Sequence, residues 1–539
     1  MPLVWLTLAL ADADVLVVDC IYGPYYTIQS AVDAAGEHDT IAVHACVYTE
    51  EVVLDGSYDL HIVAAEDHSG RFRIGAQGIG VGSKRRPGPV IDRTGMGTSC
   101  VRMVDAAFVT LDGLTLTGCL HGVEMTDCYD VTLTANRVEH VSGAAIIETS
   151  SVNQLQVVGN LLRDAGAGVV AATGFETIVV DNRVAFLDGP AVAIAGWDSL
   201  VVDNDIAHVA GGGVLFGEGD DLLIARNTFT DVTGGPTVAV ADPTSAGVSV
   251  VGNLGVGSIS DASGAAVIAE NPGLAPSGGA LVVDCAAGPY TTIGAAVADA
   301  LEGDTIVVHP CAYPEAVLLD GIDLVNVVAA KGQGGPDDLA GAWPIGLWSA
   351  TVEPAYVQGD GSGVCMLVGH SAFTRVVGLG FVGCGDGLYF QQTAYAAAIG
   401  AKVLDAQGIG LVDEGDAFLR VIGNTIDGGL YGLFQFSDAE FTNVIDNRAG
   451  RSSIDGMEVD GVFHRILHNK VVDDGASGLV VHGRFQLVAR NTAVRSATAG
   501  GDANLRVASD ADWTTVVGNR VRGSLLNDAS SYVSLDENQ

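Results

Sequence analysis

The chain has 539 residues, several times the about 150 residues of a typical domain, so its length predicts two or more domains. Acidic residues outnumber basic ones by 65 to 25, and the resulting net charge of −40 excludes nucleic acid and anionic membrane as expected partners. The 72 glycines follow no Gly-X-Y period, which excludes collagen and favours a turn-rich β protein. No apolar run approaches the about 20 residues of a membrane helix, so no transmembrane span is expected.

The N-terminus reads as a short apolar segment that ends in Ala9-Leu10-Ala11, the small-x-small pattern of a signal-peptidase site. It lacks a basic beginning, and a first strand of the mature protein is the alternative interpretation. We interpret residues 1–13 as a signal peptide, which predicts a secreted or cell-surface protein. The basic run Ser83–Pro87 is interpreted as a loop.

The cysteines also indicate export. Eight of the nine occupy four pairs of equivalent positions, as expected of disulfide partners in an oxidising compartment. Pairing Cys20 with Cys46 and Cys100 with Cys119 suits the predicted strands, but four cysteines per copy allow three connectivities. Cys128 has no counterpart and is expected to be a small buried hydrophobe. The eight disulfide candidates are Cys20, Cys46, Cys100, Cys119, Cys285, Cys311, Cys365 and Cys384.

The chain contains an internal duplication with an offset of about 265 residues. Val17-Val18-Asp19-Cys20 returns as Val282-Val283-Asp284-Cys285, and the later cysteines keep the same spacing. The segment between the copies is rich in Pro, Gly and Ser, as linkers are. We therefore predict a first domain over 14–270, a linker over 271–279 and a second domain over 280–539.

Each copy contains a shorter repeat of about 22 residues, in which an apolar run ends in asparagine and a Gly precedes a second apolar run. This unit is too short for a helical repeat and indicates one coil of a β-solenoid. Amides that recur at one position of stacked coils can hydrogen-bond along the stack, so the asparagines are interpreted as structural. They are Asn136, Asn160, Asn182, Asn204, Asn227, Asn253, Asn424, Asn447, Asn469, Asn491 and Asn519.

A short amphipathic helix is predicted near the start of each copy. Ile28, Ala31, Val32 and Ala35 recur at helical spacing after Thr27, a suitable N-cap, and Ile293, Ala296, Val297 and Ala300 repeat the pattern. Because an exposed end coil invites edge-to-edge pairing, we interpret both helices as caps.

With these features the chain resembles a known family. The phrase Gly23-Pro-Tyr-Tyr-Thr-Ile28, followed by Asp39-Thr40-Ile41, resembles the first coil of the pectin lyase-like superfamily, and the later coils resemble NosD and the carbohydrate-binding and sugar-hydrolase type repeats. The resemblance implies an all-β fold of two tandem right-handed parallel β-helix domains, each with an N-terminal α-helical cap. It is specific for fold rather than for function.

The resemblance also allows enzyme motifs to be compared. Tyr431–Ser437 resembles the mannuronan epimerase segment Y-G-F-D-P-H-D, but Phe434 and Phe436 stand where the catalytic Asp and His would be. The polygalacturonase motifs are incomplete, because the pair Asp220-Asp221 occurs without G-H-G or R-I-K. Neither activity is predicted.

The residues on either side of the asparagines are the remaining site candidates. Alternation along a strand predicts that they face outward and form one surface patch per copy. A polyuronate lyase would need a base and a cation, for which the candidate bases are Arg226, Arg490, His468 and Lys470, and calcium at Asp181, Asp203 and Asp205 is the candidate ion. The further ligand-binding candidates are Arg183, Asp446 and Arg448. The alternative is that these charges only pair with one another along a solvated face.

Three functions remain open. The favoured one is an exported, non-catalytic protein whose long flat face binds a glycan or a cell-surface partner. The second is a polysaccharide lyase, or another carbohydrate-active enzyme, that acts on acidic polysaccharide with calcium. The third is a structural stalk.

Overall fold

The computed structural model describes residues 14–65, 88–269, 271, 274, 280–330, 355–436, 439–472, 474–494, 503–529 and 533–536. The predicted signal peptide, the basic run Ser83–Pro87 and most of the predicted linker lie outside these residues. In the described part, no helix is long and apolar enough to cross a membrane.

The described residues form a parallel β-solenoid of about 19 turns with two short helices. Strand pairs are parallel and fall into two groups, which we call the first stack (residues 14–269) and the second stack (residues 280–536). Each turn contributes a strand before the ladder asparagine, a strand after it and a third strand. We call the corresponding faces the pre-ladder, post-ladder and third sheets.

The strands of the first stack include two long ones, Arg137–Glu148 and Leu161–Phe175, that run through both the post-ladder and third sheets. The pre-ladder sheet consists of Val15–Val18, Thr40–Val43, His61–Ala64, Ala107–Asp112, Cys128–Thr134, Val152–Val158, Ile178–Val180, Leu200–Val202, Leu223–Ala225, Ser249–Val251 and Val267–Ala269. The other strands of the post-ladder sheet are Val47–Tyr48, Val90–Asp92, Thr115–Thr117, Arg183–Leu187, Asp205–Val209, Thr228–Val232 and Leu254–Gly255. Those of the third sheet are Val52–Asp55, Val101–Val104, Val123–Thr126, Val192–Trp197, Val214–Phe216, Val238–Val240 and Ile259–Asp261.

The second stack repeats this arrangement with three separate sheets. Its pre-ladder sheet consists of Leu281–Val283, Thr305–Val308, Asn326–Ala329, Arg375–Val377, Ala397–Ile399, Arg420–Ile422, Asn443–Ile445, Arg465–Leu467, Leu487–Ala489, Thr514–Val517 and Val533–Asp536. Its post-ladder sheet consists of Ala312–Tyr313, Tyr356–Gln358, Gly380–Val382, Lys402–Leu404, Thr425–Asp427, Arg448–Gly450, Lys470–Val472, Thr492–Val494 and Arg520–Arg522. Its third sheet consists of Val317–Asp320, Val364–Gly369, Asp386–Gln391, Ile409–Glu414, Tyr431–Gln435, Met457–Val459, Leu479–Val481, Leu505–Val507 and Leu525–Asn527.

The two stacks pack against each other through their pre-ladder sheets. In the strand Ile178–Val180, Val179 belongs to the core of the first stack, whereas Ile178 and Val180 belong to an apolar cluster that also contains Ile422 and Ile445 of the second stack. These strands are therefore buried on both faces, which explains why they read as continuous apolar runs instead of alternating.

The stacks run in opposite directions. Near the start of the first stack, the ring of His38 lies 4.8 Å from that of Phe485, near the end of the second. At the other end, Ser249 Oγ lies 2.6 Å from Thr305 Oγ1. The beginning of each stack therefore lies beside the end of the other.

The asparagines form buried ladders inside the turns. The Oδ1 atom of Asn204 accepts from the backbone N–H and the side-chain amide of Asn182, and its own amide donates to the backbone oxygens of Val179 and Val202. The same pattern links Asn136 through Asn253 and Asn424 through Asn519. Asn271, the first residue of the predicted linker, accepts from Asn253 and is the last rung of the first ladder.

The two helices are Ile28–Val32 and Ile293–Asp299, and each begins at a threonine N-cap. Their buried residues include Ile28 and Ala31 in the first and Ala296 in the second. The four disulfides are Cys20–Cys46, Cys100–Cys119, Cys285–Cys311 and Cys365–Cys384. Cys128 is a buried free thiol.

Candidate functional site

The residues directly before the ladder asparagines lie in left-handed turns, not in extended strands. Asp181, Asp203 and Asp446 have φ of 55°, and Arg226 and His468 have φ of 59°. The alternation assumed from the sequence therefore does not apply, and these side chains point toward the other stack. The structure does not bring the two flanking columns together into one solvated patch.

Two of the residues directly before the ladder asparagines are arginines, Arg226 and Arg490, and the side chain of each contacts a glycine of the other stack. Arg226 Nε donates to Asp203 Oδ1 at 3.0 Å, and its guanidinium lies over Gly378 of the second stack. Arg490 lies over Gly113 of the first stack, the residue equivalent to Gly378. A Cβ atom at either glycine would come within 2.0 Å of the guanidinium, so only glycine fits. The junction thus has local two-fold pseudosymmetry.

His468 and Arg490 share one buried carboxylate. His468 Nε2 lies 2.6 Å from Asp112 Oδ1, and Arg490 Nη1 lies 3.5 Å from Asp112 Oδ2. Burial opposes ionisation of Asp112, but Arg490 and His468 outweigh it and hold the pKa of Asp112 below its ordinary value. Three of the four candidate bases are therefore held by carboxylates at the junction: Arg226 by Asp203 of its own stack, and Arg490 and His468 by Asp112 of the other stack.

Asp181 faces its own equivalent, Asp446, across the pseudosymmetric junction. The surrounding protein and the charges of Asp446 and Asp203 raise the pKa of Asp181, although the residue itself is exposed to solvent. Burial raises the pKa of Asp446 to about 6, against a smaller opposing effect of His468. Of the two carboxyls, the half-buried Asp446 is the one whose protonated form the junction favours at mildly acidic pH.

Further ion pairs give the junction complementary charge. Arg465 Nη1 lies 2.8 Å from Asp130 Oδ1, and Arg420 Nη2 lies 2.9 Å from Glu176 Oε1. In both pairs the carboxylate belongs to the first stack and the arginine belongs to the second. All four side chains are almost fully buried, so the pairs define how the stacks align.

A ladder of stacked rings runs beside these ion pairs on the second stack. Consecutive rings stack with centroids between 4.7 and 5.0 Å apart, and Phe441 also stacks on Phe108 of the first stack. Because the faces of these rings cover one another, the ladder offers no open ring to a ligand. Its members are Phe373, Tyr395, Phe418, Phe441, Phe463 and Phe485.

The residues directly after the asparagines lie on a different sheet and face solvent. Arg183 pairs with Asp205, with Nε 3.5 Å from Oδ2 and both side chains about half exposed. At the equivalent positions of the second stack stand Arg448 and Lys470, on neighbouring strands in register. Because Asp203 pairs with Arg226 and Asp205 with Arg183, the three calcium candidates Asp181, Asp203 and Asp205 do not converge on one ion.

The third sheet of the second stack carries an aromatic face that includes the segment resembling the epimerases. The rings of Tyr431 and Phe434 meet edge to face at 4.9 Å, as do those of Phe434 and Phe436. Phe436 is 37% exposed. The corresponding sheet of the first stack presents aliphatic residues such as Ile147, Val170 and Ala193. We call Tyr431, Phe434 and Phe436 the aromatic face.

Hydrogen-bonded carboxylates border the aromatic face. Glu414 Oε2 accepts from Tyr389 Oη at 2.5 Å and from Gln391 Nε2 at 2.9 Å, and Glu458 lies 3.5 Å from His482. Burial and the neighbouring Glu414 raise the pKa of Tyr389, which keeps its hydroxyl protonated. The border therefore offers hydrogen-bonding groups with a negative charge.

A family model described as "Periplasmic copper-binding protein (NosD)" matches residues 71–234, less than a third of the chain. No curated protein matches the sequence. Among solved structures, an alginate lyase from Paenibacillus sp. str. FPU-7 is 14% identical with a TM-score of 0.35, covering 45% of this chain and 96% of its own.

Two other solved structures are similar over most of both chains. The PL6 family alginate lyase AlyGC is 9% identical with a TM-score of 0.25 and covers 98% of this chain and 100% of its own. The protein sacteLam55A from Streptomyces sp. SirexAA-E is 11% identical with a TM-score of 0.26 and covers 94% of this chain and 86% of its own. Likeness at this level identifies no ligand or activity for this chain.

The description of the matching family raises the question of copper. Among the described residues, one group, Glu139, His140 and Asp164, brings three potential metal ligands together. Arginines already occupy its carboxylates, with Arg137 Nη2 2.5 Å from Glu139 and Arg163 Nε 2.7 Å from Asp164. Copper favours imidazole and sulfur ligands, so one imidazole and two paired carboxylates do not fit a copper ion.

Proposed function

We propose that the protein is an extracytoplasmic β-helix scaffold that binds a neutral glycan on its aromatic face without catalysis. The observation that carries the proposal is that Phe434 and Phe436 present rings at the place where the resemblance to epimerases would put an acid and a base. Apolar ring surface beside hydrogen-bonding groups suits the alternating apolar and hydroxyl surfaces of a sugar. The bordering carboxylates favour a neutral sugar over an acidic one.

The positions of the candidate bases support a role without catalysis. A general base has to reach the substrate proton directly or through one water. Arg226, Arg490 and His468 are instead committed to carboxylates at the junction of the stacks. Of the four candidates, Lys470 alone is exposed, on the post-ladder sheet and not on the aromatic face.

We also propose that the first and second stacks are two domains joined by residues 271–279, with the helices Ile28–Val32 and Ile293–Asp299 as their caps. Among the described residues, no strand of one stack pairs with a strand of the other, and each stack has its own apolar core; both observations support this division. The four disulfides favour an oxidising compartment outside the cytoplasm. The matching NosD model, which is described as periplasmic, agrees with that location.

Affinity electrophoresis in gels that contain neutral glucans or xylans tests the proposed function. The wild-type protein is expected to be retarded by at least one neutral polymer, and Phe436→Ala is expected to abolish the retardation. Phe186→Ala is the matched control, because Phe186 is 53% exposed but belongs to the first stack. Equal loss in both variants, or no retardation by any of these polymers, would reject the proposal.

A second assay separates binding from lyase activity. Polygalacturonate and alginate are incubated with the protein and calcium while the absorbance of unsaturated products is followed. We expect no product. Product that disappears in Lys470→Ala would establish the lyase alternative instead.

A further inference from the structure

A buried corner of the second stack lies directly behind the aromatic face. Gln435 stands between Phe434 and Phe436 in the chain, and its side chain points into the coil while the two rings reach the surface. On the preceding coil, Asp413 lies in register with Gln435 and comes directly before Glu414, which borders the aromatic face. The corner therefore connects the interior of the coil to the proposed binding surface. We call its four buried side chains the carboxyl corner: Asp413, Asp416, Gln435 and Thr442.

Two acids of the carboxyl corner face each other away from solvent. Asp413 and Asp416 are each 1% exposed, and their carboxyl groups lie within hydrogen-bonding distance of one another. Gln435 Nε2 donates to Asp413 Oδ2 at 2.8 Å, and Thr442 Oγ1 donates to the same oxygen at 3.3 Å. Oδ1 of Asp413 is buried and accepts no hydrogen bond from the described residues. A proton held between the two carboxyl groups would supply the donor that the corner lacks.

The basic side chains near the corner are committed elsewhere or neutral. Among the described residues, Asp413 forms no ion pair. Arg420, the nearest basic residue along the chain, binds Glu176 of the first stack, with Nη2 2.9 Å from Oε1. His464 Nδ1 accepts from the backbone N–H of Thr442 at 3.0 Å. Burial lowers the pKa of His464 to about 4, so this imidazole is neutral above that pH.

The other ionisable side chains described on the third-sheet strands around the corner, and on the turns after these strands, are acids or phenols. All of them are at least partly exposed, and none can supply a positive charge. Ionisation of both buried acids would therefore leave two like charges together in the interior, which is strongly unfavourable. These surrounding groups are Asp386, Tyr389, Tyr395, Glu414, Tyr431, Glu440, Glu458 and Asp460.

The first stack forms the same coil without a pair of acids. Glu148 stands at the position equivalent to Asp413, and its Oε1 accepts from the backbone N–H of Val152 at 3.1 Å. The residue equivalent to Asp416 is Ser151. The second carboxyl is therefore not required by the fold, and it occurs in the stack that carries the aromatic face.

We propose that Asp413 and Asp416 share one proton at neutral pH and lose it to solvent under alkaline conditions, which displaces Gln435 and weakens sugar binding on the aromatic face. Two adjacent carboxyls in one buried site cannot both ionise without separating or admitting water. Either change displaces Gln435, because its amide donates to Asp413. Burial and the neighbouring Asp416 raise the pKa of Asp413 well above its ordinary value, in agreement with a retained proton. This regulation rests on the proposed function, since it controls the same aromatic face.

Thermal unfolding of the full chain between about pH 7 and about pH 9 tests the shared proton independently of any sugar. Because the folded state keeps this proton to a higher pH than the unfolded chain does, its relative stability falls as the pH rises. The Tm of the wild type is expected to fall across this range. Asp413→Asn should fall less, because its amide donates to Asp416 and replaces the proton. Asp416→Asn is the second variant and should behave in the same way.

Asp446→Asn is the matched control for unfolding. The pKa of Asp446 is about 6, so this acid is already ionised at about pH 7, and its removal should leave the later fall in Tm as in the wild type.

Affinity electrophoresis at the same pH values, with a neutral glucan or xylan that retards the wild type, tests the regulation. Retardation of the wild type is expected to weaken severalfold at the alkaline end of the range, and retardation of Asp413→Asn is expected to stay constant.

An identical fall in Tm for the wild type and Asp413→Asn would overturn the shared proton. So would a Tm that calcium raises in the wild type alone, because a cation would then neutralise the two acids. Retardation that does not change with pH, alongside the expected difference in Tm, would overturn the regulation. No retardation at any pH would reject the proposed function and the regulation with it, while the comparison of Tm would still decide the shared proton.

Discussion

His468 and Asp112 are hydrogen-bonded across the junction of the two stacks, with Nε2 2.6 Å from Oδ1, although 356 residues separate them in sequence. Asp112 also faces Arg490. Asp112→Asn is expected to lower the free energy of unfolding by about 3 to 5 kcal/mol, because it leaves a buried arginine without its counter-charge. Urea unfolding followed by circular dichroism measures the change. Asp205→Asn, which breaks an exposed pair, is the control and should cost less than about 1 kcal/mol.

The carboxyl of Asp446 predicts a pH dependence of stability at the junction. The pKa of Asp446 is raised from 3.8 to about 6, so the unfolded chain ionises first as the pH rises. The folded state therefore loses relative stability between about pH 4 and pH 6. Asp446→Asn, which imitates the protonated form, should raise Tm at pH 7 and leave it unchanged near pH 3.5. An equal rise at both values would contradict the assignment.

Replacing an asparagine in the middle of the ladder should lower the free energy of unfolding more than replacing an exposed polar residue. Asn204→Ala removes the acceptor for the backbone N–H of Asn182 and the donor to Val179 and Val202. Each buried group left unpaired costs about 1 to 3 kcal/mol, so a loss of several kcal/mol is expected in chemical unfolding. Asn204→Asp keeps the acceptor but places a buried carboxylate oxygen against the backbone oxygens of Val179 and Val202, so it should cost at least as much as alanine.

The single free thiol should be unreactive in the folded protein. Cys128 is buried, its Sγ donates to the carbonyl oxygen of Thr126, and burial raises the pKa of its thiol. Because the thiolate is the reactive form, a thiol reagent should label no cysteine under native conditions and one after denaturation without reductant. Labelling of more than one site would show that a disulfide is absent.

The sequence predicts the coils well because their signals are local. The spacing of the asparagines, the apolar runs and the threonine N-caps each depend on neighbouring residues, and the ladder and both helices are found where these signals place them. The direction of the residues before the asparagines was not predictable by alternation, because Asp181 and its equivalents occupy left-handed turns.

The packing of the two stacks depends on contacts between residues that are distant in sequence, yet two patterns in the sequence indicate it. The pre-ladder strands, such as Ile178–Val180, are apolar at every position, which indicates burial on both faces. In the second copy, Phe418, Phe441, Phe463 and Phe485 each stand six residues before a ladder asparagine. This constant spacing places the rings at one position of successive coils, and it therefore predicts the ladder of stacked rings at the junction. The pairing of specific arginines with specific acids had no such signal.

The opposite directions of the two stacks have a mechanical consequence. The first strand, Val15–Val18, and the last, Val533–Asp536, lie at the same end of the junction. Force applied through these two strands would open the junction like a zipper, loading one ion pair and one stacked ring at a time, and would not shear all of them together. The junction would then separate under a smaller force in this direction than under a force that shears the two stacks past each other.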